Sequence, residues 1–380
     1  MLNDQFSGVQ YSIENLLRAM GNGGTPSSGS ELLLSADYRG SLRDNARFAT
    51  KKVDFSTTNR VKRIYYEHFR LPAYFRRHGF DLYHAPGYIL PYYARLPSVL
   101  TVHDLIALDY PEYCQYETAA YFNLCLPRSI RRADRIIAVS DRVKADILRR
   151  FNVEADAIAV IHHGVEKEFK RIVSPDALQR VSRTYGLPEK FLLFVGNLEP
   201  KKNLSRLIEA FLHLKRHAGI VHKLVIAGKK GWKYEALFRQ LGQQEAAGEV
   251  MLTGYVARED MPAIYSLADL FVFPSLYEGF GLPVLEAMAC GTPVLTSTAG
   301  ALPEITGGLY PQADPLDAGD LARKMHLLLT DAGLREKNVR HGTARAGAFS
   351  WEKAARQTLR VYEEVLHGKR AGRRMEDGVI

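Results

Sequence analysis

The chain has 380 residues, which favours two domains over one, each long enough to bury its own core. The apolar fraction of 46% fits a folded globular protein and excludes a largely disordered chain. The formal net charge of +9 favours a polyanionic partner: nucleic acid, a phosphate-bearing substrate or an anionic membrane.

Targeting segments and cysteine pairs give no positive signal. The sequence contains no run of about 18 apolar residues, which is the signal of a transmembrane helix. The N-terminal segment MLNDQFSGVQ is polar and lacks the apolar centre of a signal peptide. Cys114, Cys125 and Cys290 show no metal-ligand spacing, and an odd, sparse set of cysteines fits reduced thiols. We therefore expect a cytoplasmic protein.

The first recognisable element is a helix near the N-terminus. Ile13, Leu16, Leu17 and Met20 follow the i, i+3, i+4, i+7 spacing of one helical face. A domain of alternating strands and helices normally opens with a strand, yet only MLNDQF precedes the SGV turn before this helix. We therefore expect that the first strand is missing from this sequence or that the start codon is misassigned.

The segment 51–78 combines basic and aromatic residues. It holds eight Lys and Arg against two acidic residues, interleaved with six Phe and Tyr. One interpretation is a solvated loop and helix face. The other is a patch for a membrane surface, where basic side chains attract anionic lipid and aromatic rings sit at the interface. A nucleic-acid surface is disfavoured because the segment matches no known nucleic-acid module.

Apolar segments of strand length alternate with amphipathic helical patterns along most of the chain. The predicted strands are residues 98–105, 135–140, 158–165, 191–198, 223–228, 250–256, 270–275 and 293–300. Helical patterns lie at 203–217 and 234–248. This alternation predicts an α/β fold with two doubly wound, Rossmann-like domains of parallel strands.

The charged segment 166–190, which contains two prolines, marks the predicted domain boundary. The predicted division is an N-terminal domain over 1–170, a C-terminal domain over 171–349, a helix over 350–368 and a basic tail over 369–380.

The stretch YEGFGLPVLEAMACGTPV (277–294) places Glu278 and Glu286 on either side of a glycine-rich turn. Pro283 suits the first position of a helix that ends near Cys290, with Gly291 after it, so Glu286 is expected in the first helical turn. Backbone N–H groups at such a helix start bind sugar hydroxyls or phosphate. The alternative is a surface glutamate and a partner of the helix dipole.

A second stretch, VGNLEPKKNLSRLIEAF (195–211), has the same strand, loop and helix order. Lys201 and Lys202 lie in the loop after Gly196, and Asn203 is a plausible helix N-cap. Two lysines at a helix entry suit a diphosphate, and the alternative is a solvated loop.

Together these two stretches resemble the signature of the GT-B glycosyltransferases of family 4. Glu278 and Glu286 have the spacing of the family's E-x7-E motif, and VGNLEPKKN resembles its diphosphate loop. Further segments match in order: SGVQYSIENLL (7–17), TVHDLIALDYPEY (101–113), VIHHGVE (160–166), GALPEI (300–305) and SWEKAARQTLRVY (350–362).

The resemblance implies two Rossmann-like domains that face across a cleft, with the helix 350–368 crossing back to the N-terminal domain. It implies catalytic roles for His103, Lys202 and Glu278. A histidine at a strand end is also often only a structural residue, and that alternative stays open for His103. The donor-binding positions that it implies are Gly8, Asn197, Lys201, Tyr255, Val256, Phe280, Gly281, Leu282 and Glu286.

The implied roles differ among these residues. Glu286 would bind the nucleotide ribose and Glu278 the donor sugar. Lys202 would neutralise the diphosphate as it leaves. Many relatives carry arginine where this chain has Asn197, so a bidentate guanidinium is absent there and Lys201 is the expected substitute. No D-x-D triplet is present, so we expect neither a metal nor another cofactor.

The resemblance implies a retaining hexosyltransferase of surface polysaccharide synthesis. The wording of HDLIAL and GNLEPKKN favours mannose from GDP-mannose, moved to a glycan or lipid-linked acceptor. An enzyme that uses UDP-glucose or another UDP-sugar, and an inactive relative that binds a nucleotide-sugar or polyanion, stay open. An acceptor on a lipid carrier would suit a peripheral position of 51–78 on the inner face of the plasma membrane.

Overall fold

A computed structural model describes residues 8–22, 29–40, 42, 47–232 and 248–376, with side chains described up to 368. The chain divides into two compact units. The first comprises Met1–Asp109, Tyr116–Gly164 and Ser350–Ile380, and the second comprises Tyr110–Gln115 and Val165–Phe349. The chain thus passes from the first to the second unit after Gly164, and the sequence-based boundary lies between 170 and 171.

Helices and strands alternate through both units. The strands are β1 Glu31–Leu34, β2 Ala49–Lys52, β3 Tyr83–Ala85, β4 Ser98–Val102, β5 Arg135–Ala138, β6 Ile158–Val160, β7 Phe191–Val195, β8 Lys223–Ala227, β9 Val250–Gly254, β10 Leu270–Phe273, β11 Val294–Ser297 and β12 Gln312–Ala313. All eight predicted strands are confirmed, and each is shorter than predicted.

Helices connect the strands. They are α1 Gly8–Asn22, α2 Arg60–Tyr65, α3 Leu71–His78, α4 Ile106–Asp109, α5 Tyr116–Arg132, α6 Asp141–Arg150, α7 Pro175–Tyr185, α8 Leu204–Ala218, α9 Met261–Leu267, α10 Leu282–Ala289, α11 Leu302–Thr306, α12 Ala318–Thr330, α13 Ala332–Ala346 and α14 Trp351–Glu376. A π-helical segment, Tyr66–Arg70, joins α2 to α3. None of the helices in the described ranges has the length and apolar character needed to cross a bilayer.

The second unit contains one six-stranded parallel sheet with the strand order β12-β11-β10-β7-β8-β9. The strands β7 and β10 are apolar runs, and almost every residue of β7, β10 and β11 is buried, as expected for the centre of a parallel sheet. Successive strands move outward in one direction from β7 and in the other direction from β10. The order therefore reverses between β7 and β10, and ligands of doubly wound sheets bind beyond the carboxyl ends of strands at this point.

The first unit contains a parallel sheet in the order β3-β4-β5-β6 and a separate parallel pair, β1-β2. The last helix, α14, lies in this unit, where the Tyr362 hydroxyl and His84 Nδ1 are 2.6 Å apart. Residues of α1, β1, β3 and α14 line a cavity of 710 Å³. The expected first strand concerns residues before Gly8, which lie outside the described part of the chain.

Three local expectations need correction or qualification. The charged stretch 166–190 contains the helix α7, whose N-cap Ser174 accepts a bond from Ala177 N–H and which ends at Gly186 in the left-handed conformation. The final helix does not end at 368, because its backbone continues to Glu376. Most of the helical pattern at 234–248 lies outside the described residues.

Gly300, in the turn after β11, lies against the backbone of Glu278. Its φ is +59°, and a Cβ there would lie 2.3 Å from the Glu278 carbonyl oxygen. Gly308 also has a positive φ, +70°, but its Cβ would meet nothing within 4 Å. A side chain at Gly308 would therefore meet backbone strain alone, whereas a side chain at Gly300 would meet both backbone strain and a steric clash.

We predict that Gly308→Ala lowers the melting temperature by about 2–4 °C, because left-handed backbone costs about 1 kcal/mol with a side chain. Gly300→Ala should lower it by more than twice as much, because its Cβ also displaces the Glu278 backbone. Differential scanning calorimetry measures both, and equal shifts would show that the turn relaxes around the new methyl group.

Candidate active site

The loop after β7 holds its shape through Asn203. This residue adopts the left-handed conformation with φ of 60°, and its Nδ2 donates to the carbonyl oxygens of Pro274 (3.1 Å) and Pro315 (2.7 Å). Asn203 is the N-cap residue of α8, as predicted, but its side chain makes no capping bond to the helix. Its amide instead joins the loops that follow β7, β10 and β12.

Lys202 and Glu278 form a buried ion pair across the strand-order reversal. Lys202 Nζ donates to Glu278 Oε1 at 2.5 Å, and the ammonium also lies 4.8 Å from the centre of the Phe273 ring. The loops are further joined by a bond of 2.8 Å from Leu276 N–H to the Lys201 carbonyl oxygen. The structure therefore brings together two of the predicted catalytic residues.

The charges around Glu278 keep it ionised. Burial by itself raises the pKa of this carboxyl, but the ammonium groups of Lys202 and Lys201 outweigh burial, so the pKa lies below its ordinary value. Glu199 is affected in the opposite sense: burial raises its pKa despite the same two lysines. The loops after β7 and β10 therefore place the negative charge of Glu278 beside the positive charges of Lys201 and Lys202.

The glycine-rich turn leads directly into α10. Gly281 precedes the helix with φ of +108°, and a Cβ there would lie 2.8 Å from Leu302 Cδ2. Phe280 is buried, with its ring centre 5.9 Å from that of Phe349. Gly291 has φ of +69°, as predicted for the residue after the helix. The turn thus has a defined shape from Phe280 onward.

Glu286 does not lie in the first turn of the helix. Because α10 begins at Leu282, Pro283 is its second residue and Glu286 its fifth. The carboxylate accepts a bond from the Tyr265 hydroxyl (3.0 Å, to Oε2) and pairs with Arg258 Nη1 (2.8 Å, to Oε1). Glu286 is therefore a buried carboxylate with two side-chain partners, Tyr265 and Arg258, and not a partner of the helix dipole.

The sequence motifs did not predict which residues would pair with Glu286. Arg258 also donates through Nε to Glu166 Oε2 at 3.1 Å. Burial lowers the pKa of Arg258, but the carboxylates of Glu286 and Glu166 outweigh it and raise the pKa. Burial raises the pKa of Glu286, and Arg258 opposes this shift. Arg258 lies three residues after Tyr255 in the sequence, which gave no local sign of this pairing.

The predicted positions near the base and the distal phosphate are in the same unit. Tyr255 follows β9, is half-exposed and carries Lys229 Nζ 4.3 Å from its ring centre, whereas Val256 is buried. Asn197 Nδ2 donates to Glu199 Oε1 at 3.2 Å. The structure shows where these side chains lie, and their contacts with a donor stay predictions.

His103 and Gly8 belong to the first unit. His103 follows β4, is buried, and donates from Nε2 to the Pro86 carbonyl oxygen at 2.8 Å. Burial lowers its pKa, so the imidazole is neutral at pH 7. Gly8 is the exposed first residue of α1. The His103 geometry fits both a structural and a sugar-facing role, and both roles remain predictions.

Comparisons with known families cover both halves of the chain. Residues 6–169 match the model of Glycosyltransferase Family 4, and residues 179–345 match that of Glycosyl transferases group 1. In the second range lie Lys202, Glu278, Glu286 and Arg258.

Individual relatives agree with the family models. The chain is 35% identical to O-antigen chain mannosyltransferase B of Escherichia coli over 284 residues, 74% of each chain. It is 33% identical to the serotype-specific mannosyltransferase WbdA of Escherichia coli over 275 residues, 71% of this chain but only 34% of WbdA.

A solved structure matches the fold. Anabaena Alr3699/HepE in complex with UDP-glucose has a TM-score of 0.75, 19% identity and coverage of 96% of this chain and 98% of that chain. With two Rossmann-like domains, parallel sheets and these matches, the chain belongs to the group 1 glycosyltransferases of family 4 and has the GT-B fold.

Proposed function

We propose that this glycosyltransferase is a retaining enzyme that moves a hexose, with mannose favoured, from a nucleotide-sugar to a glycan or lipid-linked acceptor in surface polysaccharide biosynthesis. The observation that carries the proposal is the buried pair of Lys202 and Glu278 beyond the carboxyl ends of β7 and β10. The mannosyltransferase names of the Escherichia coli relatives support mannose, and GDP-mannose is the proposed donor.

The second unit supplies the proposed donor site. Glu286 would accept bonds from the ribose hydroxyls and Glu278 from a hydroxyl of the sugar. The backbone N–H groups from Phe280 to Leu282 would hold the sugar and the phosphate, and Tyr255 and Val256 would lie near the base. Lys201 and Asn197 are the proposed neighbours of the distal phosphate. The first unit would hold the acceptor.

The proposed reaction exchanges one C–O bond for another on the same face of the sugar. The bond between the anomeric carbon and the diphosphate breaks through a cation-like state, and the acceptor oxygen forms the new bond. The acceptor proton passes to the departing phosphate oxygen. Lys202 stabilises the negative charge that develops on the diphosphate, which is the largest demand in such a step.

Lys202 can take this role because it can change partners. In the structure its ammonium is held by Glu278, so it is already oriented and partly desolvated. A bound diphosphate offers a second anion to the same ammonium, and the lysines in this loop supply positive charge without a metal. No metal or other cofactor forms part of the proposal.

Two alternatives to a transferase that uses GDP-mannose stay open. A UDP-sugar such as UDP-glucose is one, since Alr3699/HepE was crystallised with UDP-glucose. An inactive relative that binds a nucleotide-sugar or another polyanion is the second, because Asn197 lacks the bidentate charge of an arginine. The base of the preferred nucleotide separates the first alternative, and binding without turnover identifies the second.

An anionic membrane surface is the proposed partner of the first unit. Tyr65, Phe69, Tyr92 and Tyr93 form an exposed aromatic ladder, with ring centres 5.6 Å apart for Tyr65 and Phe69, 5.3 Å for Phe69 and Tyr93, and 4.9 Å for Tyr92 and Tyr93.

Exposed basic side chains lie on the same helical segment as part of the aromatic ladder or contact one of its rings. Lys62 and Arg70 are exposed on the same helical segment, and the Arg128 guanidinium lies 3.7 Å from the centre of the Tyr92 ring. Exposed rings beside cations suit the lipid headgroup region. No disulfide joins Cys114, Cys125 and Cys290, which supports the cytoplasmic leaflet as the proposed location.

We predict that one nucleotide class raises the melting temperature of the protein by about 5–10 °C at a concentration 100 times its Kd. The panel contains GDP, GDP-mannose, UDP and UDP-glucose. A response to the guanosine pair supports the mannose proposal, a response to the uridine pair supports the first alternative, and no response contradicts the donor site.

The same measurement on Glu286→Gln tests the ribose contact. The change keeps the side-chain volume and removes the charge, so nucleotide affinity should fall about 10- to 100-fold, the value of hydrogen bonds to a charged group. Glu249→Gln, which removes a carboxylate paired with Lys215 before β9, is the matched control and should bind normally.

We predict that Lys202→Ala slows sugar transfer by about 10²–10³-fold, because the charge on the departing diphosphate loses its main partner. Lys190→Ala is the control, since Lys190 forms an ion pair with Asp269 at the other end of β7. Rates of nucleotide release with saturating donor measure the effect. Near-normal turnover of Lys202→Ala would remove this lysine from the mechanism.

We predict that the protein floats with vesicles that contain anionic phosphatidylglycerol and not with vesicles of phosphatidylcholine alone. Replacing Tyr65, Phe69 and Tyr93 together by Ser should abolish flotation, whereas Tyr310→Ser, at an exposed tyrosine of the second unit, should leave it unchanged. Equal recovery with both vesicle types would count against the membrane surface.

A further inference from the structure

Arg258 lies between two carboxylates of the second unit. Its Nη1 is 2.8 Å from Glu286 Oε1, and its Nε donates to Glu166 Oε2 at 3.1 Å. Its Nη2 also contacts Glu166 Oε2. The planar guanidinium thus uses one edge for Glu166 and another N–H group for Glu286, an arrangement that lysine cannot reproduce.

Aromatic packing fixes the plane of the same guanidinium. The centre of the Arg258 guanidinium lies 4.3 Å from the centre of the Phe169 ring, and the Phe169 ring packs edge-on against Tyr265 at 6.1 Å. Tyr265 in turn donates its hydroxyl to Glu286 Oε2. Arg258 and Tyr265 therefore hold one oxygen each of the Glu286 carboxylate, and Phe169 packs against both.

We propose that Arg258 is a positioning residue of the donor site, which holds the Glu286 carboxylate ionised and in one orientation, and that Glu166 orients Arg258. The inference rests on the proposed role of Glu286 in binding ribose. A carboxylate has about four lone-pair positions, and the contacts with Arg258 and Tyr265 use two of them. The remaining acceptor capacity matches the two hydroxyl groups of a ribose.

The charge of Glu286 depends on this pairing because the carboxyl is buried. The ionisable groups that interact with it are Arg258 in the turn after β9, Tyr265 on α9, Glu166 before α7 and Cys290 just after α10. Arg258 is the one cation among them. Without the guanidinium, burial and the Glu166 charge both favour the neutral carboxyl, and a protonated carboxyl accepts ligand hydroxyls less well.

The first test is thermal unfolding of the full chain without nucleotide, from pH 5.5 to pH 8.5. In Arg258→Gln the folded-state pKa of Glu286 lies further above its unfolded value than in the wild type. Stability is therefore retained at low pH and lost as pH rises through the folded pKa. We expect the melting temperature to fall between pH 5.5 and pH 8.5 relative to the wild type.

The double variant Arg258→Gln with Glu286→Gln should lose the part of this pH dependence that Glu286 contributes, and Glu166, the other carboxylate partner of Arg258, accounts for any part that remains. Arg340→Gln is the matched control: Arg340 pairs with the exposed carboxylate of Glu336 at 3.6 Å in the same unit, so its loss should leave the pH profile as in the wild type. A purely structural role of Arg258 on Phe169 would lower stability equally at every pH, and that result would overturn the proposal.

The second test is nucleotide affinity over the same pH range, with the nucleotide that the thermal-shift panel selects. As the pH falls from 8.5 to 5.5, the nucleotide affinity of Arg258→Gln should decrease at least about tenfold more than that of the wild type. At a pH below the pKa of Glu286, each unit by which that pKa is raised lowers the ionised fraction of the carboxyl about tenfold. Arg258→Lys should restore the wild-type pH profile with a weaker affinity at all pH values.

The two tests separate the inference from the proposed function. If the wild type binds none of the nucleotides, the proposed function fails, while nucleotide-free unfolding still reports whether Arg258 controls the charge of Glu286. If the wild type binds a nucleotide and Arg258→Gln shows unchanged pH profiles in both tests, the proposed function stands and the role of Arg258 is wrong.

Discussion

Two buried carboxylates, Glu278 and Glu286, impose the main physical constraint on the second unit. A buried charge without a partner costs about 3–5 kcal/mol, so each carboxylate needs a cation from another element. Lys202 comes from the loop after β7 and Arg258 from the turn after β9. These partners meet only because the parallel strands present their carboxyl ends at one edge of the sheet.

The strand order fixes where the Lys202–Glu278 pair lies. The order reverses between β7 and β10, so Lys202 and Glu278 lie beyond the carboxyl ends of strands where ligands of doubly wound sheets bind. Asn203 spans three loops through two backbone carbonyls and holds this edge in shape. The proposed site for a charged ligand thus depends on hydrogen bonds that are part of the fold itself.

The two glutamates sit in different electrostatic surroundings. Two ammonium groups lower the pKa of Glu278. Burial raises the pKa of Glu286, and this shift is opposed by the guanidinium of Arg258, which also pairs with Glu166. Lysine is a flexible point charge that can turn from a carboxylate to a diphosphate, while the planar arginine is fixed by Phe169 and two carboxylates. The first pair suits charge stabilisation during a reaction, and the second suits a constant binding geometry.

Local patterns in the sequence predicted eight of the twelve strands in the described residues and an α/β fold with two Rossmann-like domains, because helix and strand periods and turn residues act over a few positions. The GT-B fold class and the family roles of the E-x7-E turn and the lysine loop came from the resemblance to a known family. The local patterns placed Asn203 at the helix N-cap without its bonds to two other loops, and they missed α7, although Ser174 and Gly186 are ordinary helix end signals. Only the tertiary structure showed Arg258 between Glu166 and Glu286. These residues are 92 and 28 positions from Arg258, and the packing of the turn after β9 against α10 and the segment before α7 brings them together.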